Sequence, residues 1–137
     1  MKKLLLLLFL FLSVPLQAQQ LEGSWSWISD NGANQFQLSL EENNAGIIRG
    51  NHCAVFFNGD KIDCSQEDAS FSLALMRIAD GVYAGTIQSA YSFAEGKIRL
   101  VYNKKFDRLT FTLTTDPPGE YYLPQIAVLE RSSTYGQ

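Results

Sequence analysis

The sequence predicts an all-β fold: an antiparallel up-and-down meander closing into a barrel of about eight strands, with a β-sandwich as the alternative. Three observations carry this expectation. Apolar and polar residues alternate with period two at 34–40, 97–103 and 108–114, the pattern of strands with one buried and one wet face. Asn58-Gly59 and Asp80-Gly81 are hairpin signals, because a type I′ turn needs positive φ at both central residues and these pairs tolerate it. No convincing helical pattern is present, and no connection is long enough for a β-α-β crossover. Closing the sheet removes its edges, which favours the barrel.

Taken in order, residues 1–18 read as a signal peptide. Lys2 and Lys3 precede the apolar run 4–12, and Leu16-Gln17-Ala18 forms a cleavage site. The run is short for a membrane span of about 20 residues, so no span is expected after processing. Residues 19–131 form one β-barrel domain and 132–137 a flexible C-terminal tail. The protein is expected in the periplasm or secreted, where a disulfide persists.

The first strand is expected at 23–29, with Trp25 and Trp27 on one face, followed by a turn at Asn31-Gly32. Phe36, Leu38 and Leu40 form one face of the second strand. The third runs from residue 45 or 46 to 57, with a bulge or bend at Gly50 and Asn51. Residues 69–78 place Phe71, Leu73 and Leu75 on one face. The Asp80-Gly81 turn sets Ile78 opposite Tyr83 and Met76 opposite Gly85. Residues 89–95 read as a loop, a strand start or a lid. Ile98, Leu100 and Tyr102 share a face, as do Leu109, Phe111 and Leu113. Pro117-Pro118 must leave the ladder because proline lacks the N–H that a ladder uses. A closing strand lies within 121–131, started late by Pro124.

The hairpin 52–65 fixes the register. A turn at Asn58-Gly59 pairs Phe57 with Asp60, Val55 with Ile62 and Cys53 with Cys64, and a four-residue loop keeps the same pairing. Opposed antiparallel residues lie within disulfide reach. Cys53 and Cys64, the only two cysteines, are therefore expected to bond and to contribute ~2–3 kcal/mol by closing a short loop.

Residues 21–25, Leu-Glu-Gly-Ser-Trp, place a glycine two positions before a tryptophan on the first strand. This resembles the opening of lipocalin-like (calycin-like) barrels, and the chain layout resembles small secreted lipocalin-like proteins of Bacteroidetes type. The resemblance implies that Trp25 closes one barrel end, that Gly23 permits close approach of the chain, and that the other end opens to an apolar ligand cavity.

The chain carries a formal net charge of −3, which disfavours nucleic acid as a partner. His52 is the only histidine, so no two-histidine metal site exists, and no cofactor motif is present. His52, Asp63 and Ser65 have the residue types of a hydrolytic triad, but no nucleophile elbow accompanies them, and no enzyme is expected. Glu41 and Glu42 read as solvated loop acids. The expected function is non-enzymatic binding of a small apolar or amphipathic molecule inside the barrel, lined by Phe36, Leu38, Phe71, Leu73, Ile98, Leu100, Leu109 and Phe111. The alternative is a protein-interaction module, an inhibitor or immunity-type partner of a secreted or envelope protein. It would act through surface loops, with Tyr83, Tyr91, Phe93, Tyr121 or Tyr122 at a mouth.

Overall fold

The computed structural model describes residues 20–65 and 70–132. The expected signal peptide and residues 133–137 of the expected tail lie outside the described residues. Ser132, also expected in the tail, donates its N–H to Ser24 O at 2.9 Å.

Among the described residues the nine strands are β1 (Gly23–Ile28), β2 (Gln35–Glu42), β3 (Ile47–Phe56), β4 (Lys61–Cys64), β5 (Leu73–Ala79), β6 (Val82–Gln88), β7 (Glu95–Asn103), β8 (Arg108–Thr115) and β9 (Ile126–Arg131). All pairings are antiparallel. Eight strands close a ring in the order β1-β2-β3-β5-β6-β7-β8-β9, because β1 pairs with β2 on one side and β9 on the other. β4 is the additional strand.

β3 has two partners along one edge. Ile47 to Gly50 pair with β5, and Cys53 to Phe56 pair with β4. At the junction Ser65 N–H donates to His52 O and Ser72 N–H to Gly50 O. β4 thus ends at Cys64 and β5 begins at Leu73 along the same edge of β3, so β4 and β5 are two pieces of one wall position.

This break corrects the expected strand at 69–78. Pairing begins at Leu73, and Phe71 lies before it with 43% of its surface exposed. The alternation around Phe71 continues the strand pattern, but the backbone there has no β3 partner in register. The β5–β6 register also differs from expectation. A bulge between Arg77 and Ala79 sets Arg77 opposite Tyr83 and Leu75 opposite Gly85. A regular hairpin would have set inward residues of one strand against outward residues of the other; the extra residue restores agreement of the two faces. Backbone approach is closest at Gly85, where a Cβ would meet Ala74 O at 1.9 Å. Gly50 makes no bulge: its pairing to β2 runs without a slip, and a Cβ there would meet Ser39 O at 2.2 Å.

The alternating burial of β2, β7 and β8 points Phe36, Leu38, Leu40, Ile98, Leu100, Leu109, Phe111 and Leu113 into one core with Trp25, Leu73, Leu75, Ile87 and Leu129. The two barrel ends differ. One holds the start of β1, the end of β9 and the β2–β3, β5–β6 and β7–β8 turns; we call it the terminal end. The other holds the β1–β2, β3–β4, β6–β7 and β8–β9 connections; we call it the loop end.

Candidate functional site

The β3–β4 hairpin supplies the central part of the loop end. Its loop carries three successive residues with positive φ, Phe57 (55°), Asn58 (57°) and Gly59 (94°), so the four-residue form joins the strands. The register is the expected one. Cys53 lies opposite Cys64, with Cα atoms 3.9 Å apart, and the two are disulfide-bonded.

Within this hairpin the period-two alternation points His52 and Asp63 into the barrel, where both side chains have no exposed surface. His52 Nε2 and Asp63 Oδ1 are 2.9 Å apart, and His52 Nδ1 and Ser72 Oγ are 2.8 Å apart. The carboxylate accepts from Nε2–H, and the other ring nitrogen shares its hydrogen bond with the Ser72 hydroxyl. The remaining Asp63 capacity is filled by Ser89 O–H at 2.5 Å, Ala90 N–H at 2.7 Å and Tyr122 N–H at 3.2 Å. One carboxylate thus ties β4 to β3, to the β6–β7 loop and to the β8–β9 connection. Burial pushes the Asp63 carboxyl up, but the bonds from His52, Ser89, Tyr122 and Ala90 outweigh it, and its pKa lies below the usual carboxylate value.

The expected triad is rearranged. Ser72, not Ser65, meets the histidine ring, whereas Ser65 Oγ bonds the His52 backbone and Asn51. Ser72 is 8% exposed, and its Oγ also accepts His52 N–H at 3.1 Å. The arrangement is an internal tie whose serine oxygen is already engaged. Among the described residues, no group of three histidine, cysteine or acidic side chains is placed to hold a metal ion.

Above this polar layer the three tied connections bring aromatic rings together. Phe57 comes from the β3–β4 loop, Tyr91 from the β6–β7 loop and Tyr122 from the β8–β9 connection. The Tyr91 and Tyr122 rings are 4.9 Å apart and nearly perpendicular, and Phe57 lies 6.2 Å from Tyr122. Lys61 Nζ stands 6.0 Å from the Tyr91 ring centre and 5.7 Å from that of Tyr122. Phe57 and Tyr91 are 56% and 40% exposed. The Tyr122 hydroxyl donates to Glu120, and this bond, with burial and the charge of Glu120, pushes its pKa up to about 12.

The terminal end is closed by different groups. Trp25 is buried and its Nε1–H donates to Leu21 O at 2.9 Å. The Arg131 guanidinium stacks 4.3 Å from the Trp25 ring centre, binds Asp107 and donates to Glu22 O and Gln20 O. Glu42, expected on the surface, is instead buried: it follows Phe36, Leu38 and Leu40 in inward phase, accepting Leu21 N–H at 2.9 Å and Tyr83 O–H at 3.0 Å. Tyr83 therefore belongs to this end and not to the mouth. Burial, reinforced by Glu42, pushes its pKa up to about 12.

Of the interior residues named from sequence, Phe36, Leu38, Leu73, Ile98, Leu100, Leu109 and Phe111 face the core at 0 to 2% exposure, and Phe71 does not. A space large enough for a ligand would leave accessible surface on the side chains around it, and these have none to spare. Phe36 and Phe111 are in ring contact at 4.8 Å. Gly23 adopts φ 125° where a Cβ would lie 3.3 Å from Arg131 Nη1.

Against protein-family models, curated proteins and solved structures, the chain finds no match.

Proposed function

We propose that this is a non-enzymatic binding protein of the periplasm or cell exterior that engages a partner protein through the rim at its loop end. The observation that supports it most is the contrast between interior and rim. The core side chains are 0 to 6% exposed, whereas Phe57, Tyr91 and Tyr122 from three separate connections meet at the surface. Partly exposed tyrosines with polar tips are favoured contact residues in protein interfaces. Phe57 also keeps a left-handed backbone while its ring stays largely in solvent, a strained position of the kind that clusters at binding sites.

The lipocalin-like relationship is part of this reading. It is supported by the closed antiparallel ring and by Trp25 buried at one end. The disulfide, and the absence among the described residues of a helix long and apolar enough to cross a membrane, are in keeping with export. Binding of a small apolar molecule in the barrel is the competing reading.

Two measurements separate them. Tagged protein is used to capture partners from the native envelope fraction, comparing wild type, the rim double variant Tyr91→Ala/Tyr122→Ala and the interior variant Leu100→Met. A one-to-one complex that survives the interior change and disappears with the rim change is the expected result. Saturable uptake of an anilinonaphthalene sulfonate by the folded protein, untouched by the rim change, would overturn it.

A further inference from the structure

We propose that Tyr91 and Tyr122 form a receptacle for a cationic side chain, an arginine or lysine on a basic segment of the partner protein, and that Lys61 fills it in the free protein. This rests on the rim reading above and adds the chemistry of recognition to it.

The molecule itself shows that these rings accept a cation. Lys61 Nζ lies 6.0 and 5.7 Å from the two ring centres, at the outer limit of about 6 Å within which an aromatic face attracts an ammonium group. The two rings stand at 82° to one another, so they make two walls of a corner. Phe57 extends the Tyr122 side of it.

The charge around the corner is complementary to a cation. Glu120 accepts from the Tyr122 hydroxyl, and Asp60 contributes a second negative charge felt at the same phenol. The chain as a whole is formally −3, which steers basic partners toward it. An acidic partner would have two carboxylates to avoid at this corner.

Lys61 is a replaceable occupant. The terminal end displays a close cation-aromatic contact: the Arg131 guanidinium is 4.3 Å from the Trp25 ring centre. The ammonium of Lys61 sits well over an ångström farther from either tyrosine. A planar guanidinium entering the corner stacks closer on an aromatic face than an ammonium does. The walls are prepared in advance, because Asp63 fixes the backbone at Ala90 and Tyr122 and the Cys53–Cys64 bond fixes the strand that carries Lys61. A receptor that needs no ordering on binding keeps more of its interaction energy.

The test uses the oxidised, full processed protein and two capped peptides, one of arginines spaced by glycine and one with each arginine replaced by neutral citrulline. Tyrosine ring resonances report the titration. The arginine peptide should shift the Tyr91 and Tyr122 signals at a concentration at least ten-fold below that needed for the citrulline peptide. Lys61→Gln should tighten arginine-peptide binding several-fold by emptying the corner, while Lys105→Gln, which removes the same charge elsewhere, should tighten it less than two-fold. Tyr122→Ala should weaken binding at least ten-fold, with an unchanged amide spectrum confirming the fold.

Equal binding of the two peptides, or weaker binding by Lys61→Gln, overturns the receptacle. Choline binding as tightly as the arginine peptide overturns the assignment to a protein side chain. If rim-dependent capture from the envelope persists while arginine peptides are ignored, this inference fails and the rim reading stands.

Discussion

The two ends of the barrel solve the same problem with opposite outcomes at the surface. Each end buries one carboxylate beneath the connections that cross it. Glu42 holds Leu21 N–H and the Tyr83 hydroxyl at the terminal end, and Asp63 holds His52, Ser89, Ala90 and Tyr122 at the loop end. Above Glu42 the remaining groups satisfy one another: Arg131 caps Trp25 and binds Asp107, whose other partner is Tyr102. Above Asp63 the chain instead raises three aromatic rings and a lysine toward solvent. The comparison teaches that the buried acid is a structural device at both ends, and that the difference between a sealed end and an end with an exposed aromatic rim lies in the layer outside it.

The sharpest way to break this comparison is to remove the acids. Asp63→Ala leaves His52, the Ser89 hydroxyl and two backbone N–H groups without their acceptor and should cost several kcal/mol, at ~1–3 kcal/mol for each buried donor left unsatisfied. Urea unfolding measures it, and a loss near zero would refute the structural role given to the buried acid. Replacing both cysteines by serine should remove ~2–3 kcal/mol, with amide hydrogen exchange accelerating in β4 and the β6–β7 loop before the terminal end.

The ends should also separate by pH. Asp63 is depressed in the fold, so its contribution is fully present above the ordinary carboxylate value of about 4 and is lost as pH falls below it toward its lowered pKa. Tyr83 is raised to about 12, so its contribution is fully present below the ordinary phenol value of about 10 and is lost as pH rises through the folded value. Hydrogen exchange should therefore show acid opening first at the loop end, where the depressed carboxylate is buried, whereas at alkaline pH Tyr83 and Tyr122 are both raised to about 12 and the ends do not separate. Acid opening first at the terminal end would contradict the division.

The smallest effect is expected at Phe57. Phe57→Gly relieves a side chain from positive φ and should raise stability by ~0.5–1 kcal/mol, read as an upward shift of the thermal midpoint. The same change should weaken partner capture, since the ring is part of the rim. Gain in both properties would remove Phe57 from the site.

Much of the wall was legible because short-range chemistry decides it. The Asn58-Gly59 pair and the cysteines agree on one register, and that register is present. The alternation of β2, β7 and β8 identified Phe36, Leu38, Ile98, Leu100, Leu109 and Phe111 as inward. Phe71 was misplaced because alternation continues past the point where the backbone loses its partner. The β5–β6 bulge was hidden because a turn signal fixes where a hairpin reverses, not whether an extra residue enters beside it.

The loop-end site was legible only in pieces. His52 and Asp63 were diagonal neighbours in the hairpin, but Ser72, Ser89 and Tyr122 join them through strand order, which no local pattern carries. Tyr91 and Tyr122 were named as mouth aromatics without the contact between them. Glu42 had a usable signal, since it stands in phase with Phe36, Leu38 and Leu40, but its charge and adjacent Glu41 suggested water. Arg131 had none.

The forked pairing of β3 has one further consequence. Ile47 to Gly50 already join β5, so the circumference is complete before the stretch that binds β4 is reached. The loop 57–60 at the tip of the β3–β4 ribbon therefore lies outside the closed ring of strands, and exchanging it for another sequence of equal length should leave the ring and the buried Asp63 layer whole.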